Sequence, residues 1–150
     1  MKKILVPLVA LLLGLTFAAR AEVSWGTDLP AALAQAKKEK KLVVMDFTGS
    51  DWCGWCIKLK KEVFDTADFA KYAKDNLVLV EVDFPTEKKL KQQSAELRKA
   101  NDALKDKYEA NGFPTIVVLN GDGKQVWKQI GYMAGGPKAW TEKLDAAKKK

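Results

Sequence analysis

The chain has 150 residues, 47% of them apolar, with 26 basic and 19 acidic side chains, two cysteines and no histidine. That length and apolar content suit one domain around one core. The missing histidine excludes Ser-His-Asp and Cys-His catalysis and any histidine metal site, and two cysteines alone leave a zinc site short of ligands.

The N-terminus reads as a secretory signal. Lys2 and Lys3 precede an apolar run from Ile4 to Ala18, and Ala19-Arg20-Ala21 fits a small-x-small cleavage site. The run is short for a membrane span. Residues 1–21 are therefore expected to be a signal peptide, and residues 22–150 a mature domain in the periplasm or outside the cell. The mature part keeps 23 basic and 19 acidic residues, a charge of +4. No basic stripe interleaved with aromatics appears, so no nucleic-acid partner is expected.

Pro30 to Lys40 reads as a helix with Thr27 or Asp28 near its start. Leu42 to Phe47 is a compact apolar run that suits a buried strand, interrupted by Asp46. Thr48-Gly49-Ser50-Asp51 is a turn into Trp52-Cys53-Gly54-Trp55-Cys56. Ile57 to Phe64 is expected to continue as a helix, with Ile57, Leu59, Val63 and Phe64 available for packing, and Ala67 to Asp75 follows as another. Leu77 to Phe84 is a second strand, ended by Pro85. Thr86 to Ala110 is expected to be one long charged helix, with Leu90, Leu97 and Leu104 laid on a sheet. Thr115 to Leu119 and Gln125 to Tyr132 form an antiparallel pair around the Asn120-Gly121-Asp122-Gly123 turn. Lys138 to Lys149 closes the chain as a helix with Trp140 and Leu144 on one face. This order gives an α/β sandwich on a mixed sheet, parallel in the middle and antiparallel at one edge.

Cys53 and Cys56 are the only cysteines, and they lie three apart. Such a pair closes too small a loop to be a useful staple, because the entropy it removes from the unfolded chain grows with loop length. It suits a reversible dithiol instead. A helix N-terminus offers free N–H groups and a partial positive charge, which favour the thiolate. The thiolate is the nucleophile of disulfide exchange.

Three ordered motifs together resemble the thioredoxin family over residues 25–147. They are VVMDF at 43–47 leading into WCGWC, GFPT at 112–115, and NGDGK followed by a strand, Gly131 and a terminal helix. The resemblance implies a thioredoxin-like three-layer sandwich, a central mixed sheet with flanking helices. It implies a thiol–disulfide oxidoreductase acting on protein thiols and disulfides without a cofactor, as a monomer; the reductase or isomerase direction is expected from the uncharged Gly54-Trp55 pair between the cysteines. A membrane electron donor is a further possible partner.

By the same resemblance, Cys53 is the exposed attacking thiolate and Cys56 resolves the mixed disulfide. Pro114 follows a cis bond beside the sulfurs. The Phe113 backbone pairs with the substrate chain, and Trp52 shields one side. Asp46 matches a buried acid behind the second cysteine, with its pKa raised by burial so that it can take the Cys56 proton. Asp46 lies seven positions before Cys53, one more than in ordinary thioredoxins. Those place a lysine beside this acid, and the matching position here reads as Leu79. A second reading of Asp46 is a turn cap or a partner for a nearby N–H. Gly54 and Trp55, between the cysteines, supply no charge. Trp55 either packs on Trp52 or the Phe113 loop or forms an apolar platform for substrates.

Two other function classes fit parts of the pattern. The thiols are soft ligands for Cu(I), although neither Met45 nor Met133 adjoins them in sequence. A non-catalytic interaction domain is the other, although such domains usually lose a cysteine.

Overall fold

The structure, a computed structural model, describes residues 23–149. The signal sequence expected over residues 1–21 lies outside the described residues. Five strands form one sheet. They are β1 (Trp25–Gly26), β2 (Leu42–Thr48), β3 (Leu77–Asp83), β4 (Thr115–Leu119) and β5 (Gln125–Ile130), in the spatial order β1-β3-β2-β4-β5. β1, β3 and β2 run parallel, while β4 and β5 are antiparallel to their neighbours. The sheet is thus parallel on one side and antiparallel on the other. β2 lies between β3 and β4, and every residue of it is buried. That accounts for its continuous apolar run. β1, two residues long, is an addition to the strands expected from sequence.

Helices cover both faces. α1 (Leu29–Glu39) and α5 (Ala95–Lys107) lie on one, over Val43, Met45, Phe47, Val80 and Val82. α2 (Gly54–Leu59), a π-helical turn (Lys60–Phe64), α3 (Ala67–Asn76) and α6 (Gly136–Ala147) lie on the other, over Leu42, Val44, Leu79 and Ile116. Alternate strand residues therefore serve two separate clusters, as a period of two requires. The three-layer thioredoxin-like sandwich is present. Among the described residues no helix is long and apolar enough to cross a membrane.

Local chemistry sets the ends. Asp28 caps α1, its carboxylate accepting from the Ala31 N–H at 2.9 Å. Thr66 caps α3 in the same way through Phe69. The Asn120 side chain accepts from the N–H groups of Asp122 and Lys124, both at 3.0 Å, and shapes the β4–β5 turn. Trp140 of α6 is fully buried, with Phe64 and Trp127 against it edge-on at 5.7 and 5.5 Å.

Two expected elements change. The helix that starts at the cysteines runs from Gly54, as expected, but becomes π-helical from Lys60. Leu59, Val63 and Phe64 are buried, but Ile57 is exposed. The long helix from Thr86 to Ala110 is broken in two. α4 (Glu87–Leu90) ends in a turn, and Ser94 caps α5 by accepting from the Leu97 N–H at 3.1 Å. Serine competes for backbone hydrogen bonds and so favours caps over helix interiors.

Side chains on either side of the break reach the same atom. Gln93 and Asn101 both donate to the Asp83 carbonyl, at 3.2 and 3.1 Å. Asn101 is buried in the helix face between Leu97 and Leu104. It thus fastens the inserted segment to the end of β3. Asn101→Ala is expected to lower stability by about 1–3 kcal/mol, read as a fall in the melting temperature of the oxidised protein. An unchanged melting temperature would mean that the bond adds nothing.

Candidate active site

β2 ends at Thr48, and the chain turns through Gly49 into the cysteine motif. Gly49 is required here by space: a Cβ would lie 2.4 Å from the Trp52 ring. Three side-chain links hold the turn to the end of β3 and the residues after it. Asp83 accepts from the Ser50 N–H at 2.9 Å and the Ser50 hydroxyl at 2.6 Å. Asp51 accepts from the Thr86 N–H and hydroxyl at 2.9 and 2.6 Å, which holds its carboxyl below the usual range. The Trp52 indole N–H donates to the Phe84 carbonyl at 2.7 Å.

Cys53 caps α2 and is bonded to Cys56, S–S 2.15 Å, with the Cα atoms 5.2 Å apart. Its Sγ also accepts from the Cys56 N–H at 3.2 Å. The expected exposure of Cys53 does not hold in this disulfide form. The residue is 7% exposed, against 4% for Cys56. Its sulfur meets the Cys56 sulfur and the Cys56 N–H.

The surroundings are aromatic. Trp52 is 53% exposed and meets Phe113 edge-on at 5.9 Å. Phe113 in turn stacks on Phe84 at 5.3 Å. The Phe113–Pro114 peptide is cis. Gly54 is exposed at the first position of α2. Trp55 is 58% exposed, and its ring partner is Tyr132 at 5.5 Å rather than Trp52 or Phe113. Gly131, at φ 77°, turns the chain out of β5 and delivers Tyr132 there. The Lys58 ammonium sits over both rings, 5.3 Å from Trp55 and 4.9 Å from Tyr132. The Tyr132 hydroxyl donates to the Glu62 carboxylate, which keeps the phenol protonated.

Asp46 is 8% exposed on the β2 face that carries α2. Burial, then the neighbouring Glu81, push its pKa up to about 8. Lys60 opposes the rise and Asp83 adds to it. Asp46 Oδ1 has no hydrogen-bond partner, so the second sequence reading, a cap or N–H acceptor, fails for that oxygen. The β3 position beside Asp46 is Glu81, not Leu79. The match to Leu79 is out of step by two residues, and a two-residue slip keeps the same face.

Sequence reasoning misses Tyr132, Lys58 and Glu81. The alternation of Leu79, Glu81 and Asp83 is the available signal for Glu81. Nothing in spacing connects residue 132 to residue 55. The copper reading gains no support from the methionines: Met45 is fully buried on the opposite face of β2, within the cluster under α1.

A family model described as a thioredoxin-like domain matches residues 29–148. The disulfide bond reductase DsbH of Chlamydia pneumoniae is 37% identical over 131 residues, covering 87% of this chain and 76% of that protein. A solved structure of a DsbH oxidoreductase superimposes with a TM-score of 0.78 at 37% identity, over 87% of this chain and 88% of the other. The thioredoxin-related protein DsbJ of Chlamydia pneumoniae is 31% identical over 71% of this chain but only 30% of its own length. Fold, cysteine disulfide and matches agree: the chain belongs to the thioredoxin-like family, as a thiol–disulfide oxidoreductase.

Proposed function

We propose that this oxidoreductase reduces or isomerises disulfides of protein substrates in the periplasm, as a monomer released from its signal peptide. The observation that carries this reading is the Cys53–Cys56 disulfide at the head of α2, with a buried carboxyl on the sheet face below. In the reduced form the N–H groups of the first turn of α2 face the Cys53 sulfur and favour its thiolate. Cys53 attacks the substrate disulfide. Cys56 then attacks Cys53 and releases the substrate thiol. Asp46 accepts the Cys56 proton. Phe113 and Pro114 border the substrate chain, and a membrane electron donor returns the pair to its dithiol form.

The reducing direction rests on the charge around the pair. Gly54 and Trp55 bring no cation between the cysteines, so Cys53 gains little of the stabilisation that makes a strong oxidant. The name of the DsbH relative as a disulfide bond reductase points the same way. Equilibration with a glutathione series tests this. The pair is expected to show a potential between about −270 and −180 mV, and a value near about −120 mV would contradict it.

Trp52, Trp55 and Phe113 form the face that a substrate meets. Large exposed aromatics supply most of the energy at such surfaces. Trp55→Ala is therefore expected to raise KM for a protein disulfide by roughly tenfold, from the loss of about 1.4 kcal/mol. Turnover of a small disulfide, which has no chain to lay on the platform, should stay within about twofold. Equal losses on both substrates would show that Trp55 acts on the cysteines instead.

A further inference from the structure

Glu81, the carboxyl beside Asp46, takes no part in the disulfide exchange itself. In the register of β2 with β3, Asp46 stands opposite Glu81, and Thr48 opposite Asp83. Parallel neighbours lie about 4.8 Å apart, and paired residues point to the same face. That face is the one under α2 and the π-helical turn. Asp46 is closed off there, with an oxygen that meets no donor. Glu81 is only half-buried. One carboxyl is therefore inside and the next reaches solvent.

We infer that Glu81 is a positioning residue for the proton of this site, pairing with Asp46 across the strands and passing its proton to and from water. The inference rests on the reading that Asp46 takes the Cys56 proton. Two carboxylates on adjacent strands resist ionising together, so the pair holds one proton between them. Burial and Asp83 raise the Glu81 carboxyl above its ordinary range, while Lys60 and Lys89 pull it down. Lys60, exposed in the π-helical turn, acts on both acids in the same direction. It offsets part of the repulsion and keeps the pair from taking up a second proton.

The step balances without another reactant. In the mixed disulfide the pair's one proton rests on Glu81, and Glu81 releases it to water as the Cys56 thiol gives its proton to the Asp46 carboxylate. The Cys56 sulfur attacks the Cys53 sulfur, and the S–S bond to the substrate breaks. The substrate sulfur leaves with the electron pair and takes a proton from water. The proton left on Asp46 then passes to the Glu81 carboxylate. Asp46 is then ionised for the next cycle.

Carbon-13 carboxyl titration of the oxidised full chain reads this directly. In the wild type, the Asp46 and Glu81 signals should each show both steps of a shared titration. Glu81→Gln should lower the Asp46 midpoint by about one pH unit or more, and Glu81→Asp should restore most of it. The pH profile of the resolving step should move with that midpoint. A wild type with two independent single-step curves, or an Asp46 midpoint unmoved by Glu81→Gln, overturns the inference. A resolving rate unchanged by Asp46→Asn is a separate result, and it overturns the base role of Asp46 itself.

Discussion

Replacing Cys56 by serine should turn this protein into a covalent trap, and replacing Cys53 should silence it. Both outcomes follow from the order of the two sulfurs. Cys53 stands at the N-terminus of α2, between the exposed Trp52 and Trp55 in the chain. Cys56 lies one turn deeper, near the face that carries Asp46. In Cys56→Ser, Cys53 can still attack a substrate disulfide, but nothing resolves the product. A mixed disulfide should accumulate, visible as a mass increase that dithiothreitol removes. In Cys53→Ser the sulfur at the α2 N-terminus, the one whose thiolate the helix favours, is gone. Disulfide reduction should fall by roughly 10³-fold or more, the loss typical for a missing nucleophile. The reverse pattern, trapping by Cys53→Ser, would exchange the two roles.

Asp46→Asn should give the second large effect, and in two opposite senses. Turnover suffers because Cys56 loses its proton acceptor, a role worth roughly 10²-fold. Stability gains. The folded Asp46 carboxyl titrates near pH 8 because it is buried beside Glu81. An unfolded aspartate titrates near about pH 4. Between these values the folded protein holds one more proton than the unfolded chain, so stability falls as pH rises. Asparagine does not titrate, so the variant escapes this loss. The gap should be absent below about pH 4, open through neutrality and level off above pH 8. Its full size is on the order of 5 kcal/mol. Thermal melts of the two oxidised proteins across that range measure it. Parallel curves would mean that Asp46 is ionised in the folded state at ordinary pH.

Much of this site is legible in the amino-acid sequence. VVMDF, short, rich in valine and apolar but for Asp46, suits a buried strand. The cysteine spacing names the chemistry. The NGDG turn fixes the β4–β5 pairing. Other parts depend on partners far away along the chain. Helix-favouring lysines, leucines and glutamines fill residues 86–110, and local preference alone continues the helix. The break comes from Ser94 as a cap and from the reach of Gln93 and Asn101 to Asp83. β1 exists only because β3 has a free edge for Trp25 and Gly26 to join. Glu81 is visible as a strand acid, but its place beside Asp46 depends on register, which composition does not encode. Tyr132 reaches Trp55 only through the bend at Gly131.

These placements connect the fold to the reaction. β2 ends in the turn that carries Cys53, and the same strand holds Asp46 on the face below α2. The inserted segment does not form a separate lobe. It braces the turn through Asp83, Phe84 and Thr86, one link each to Ser50, Trp52 and Asp51. The turn before the motif is therefore held to the end of β3 before any substrate arrives. The lengthened stretch between Asp83 and Pro114 reads as scaffold for the site.

The most direct test of the central claim is catalysed reduction of insulin by the wild-type protein with dithiothreitol as electron source. Precipitation of the freed insulin chains should run well ahead of dithiothreitol alone and scale with protein concentration. A rate equal to that of dithiothreitol alone would contradict a disulfide reductase working through Cys53 and Cys56.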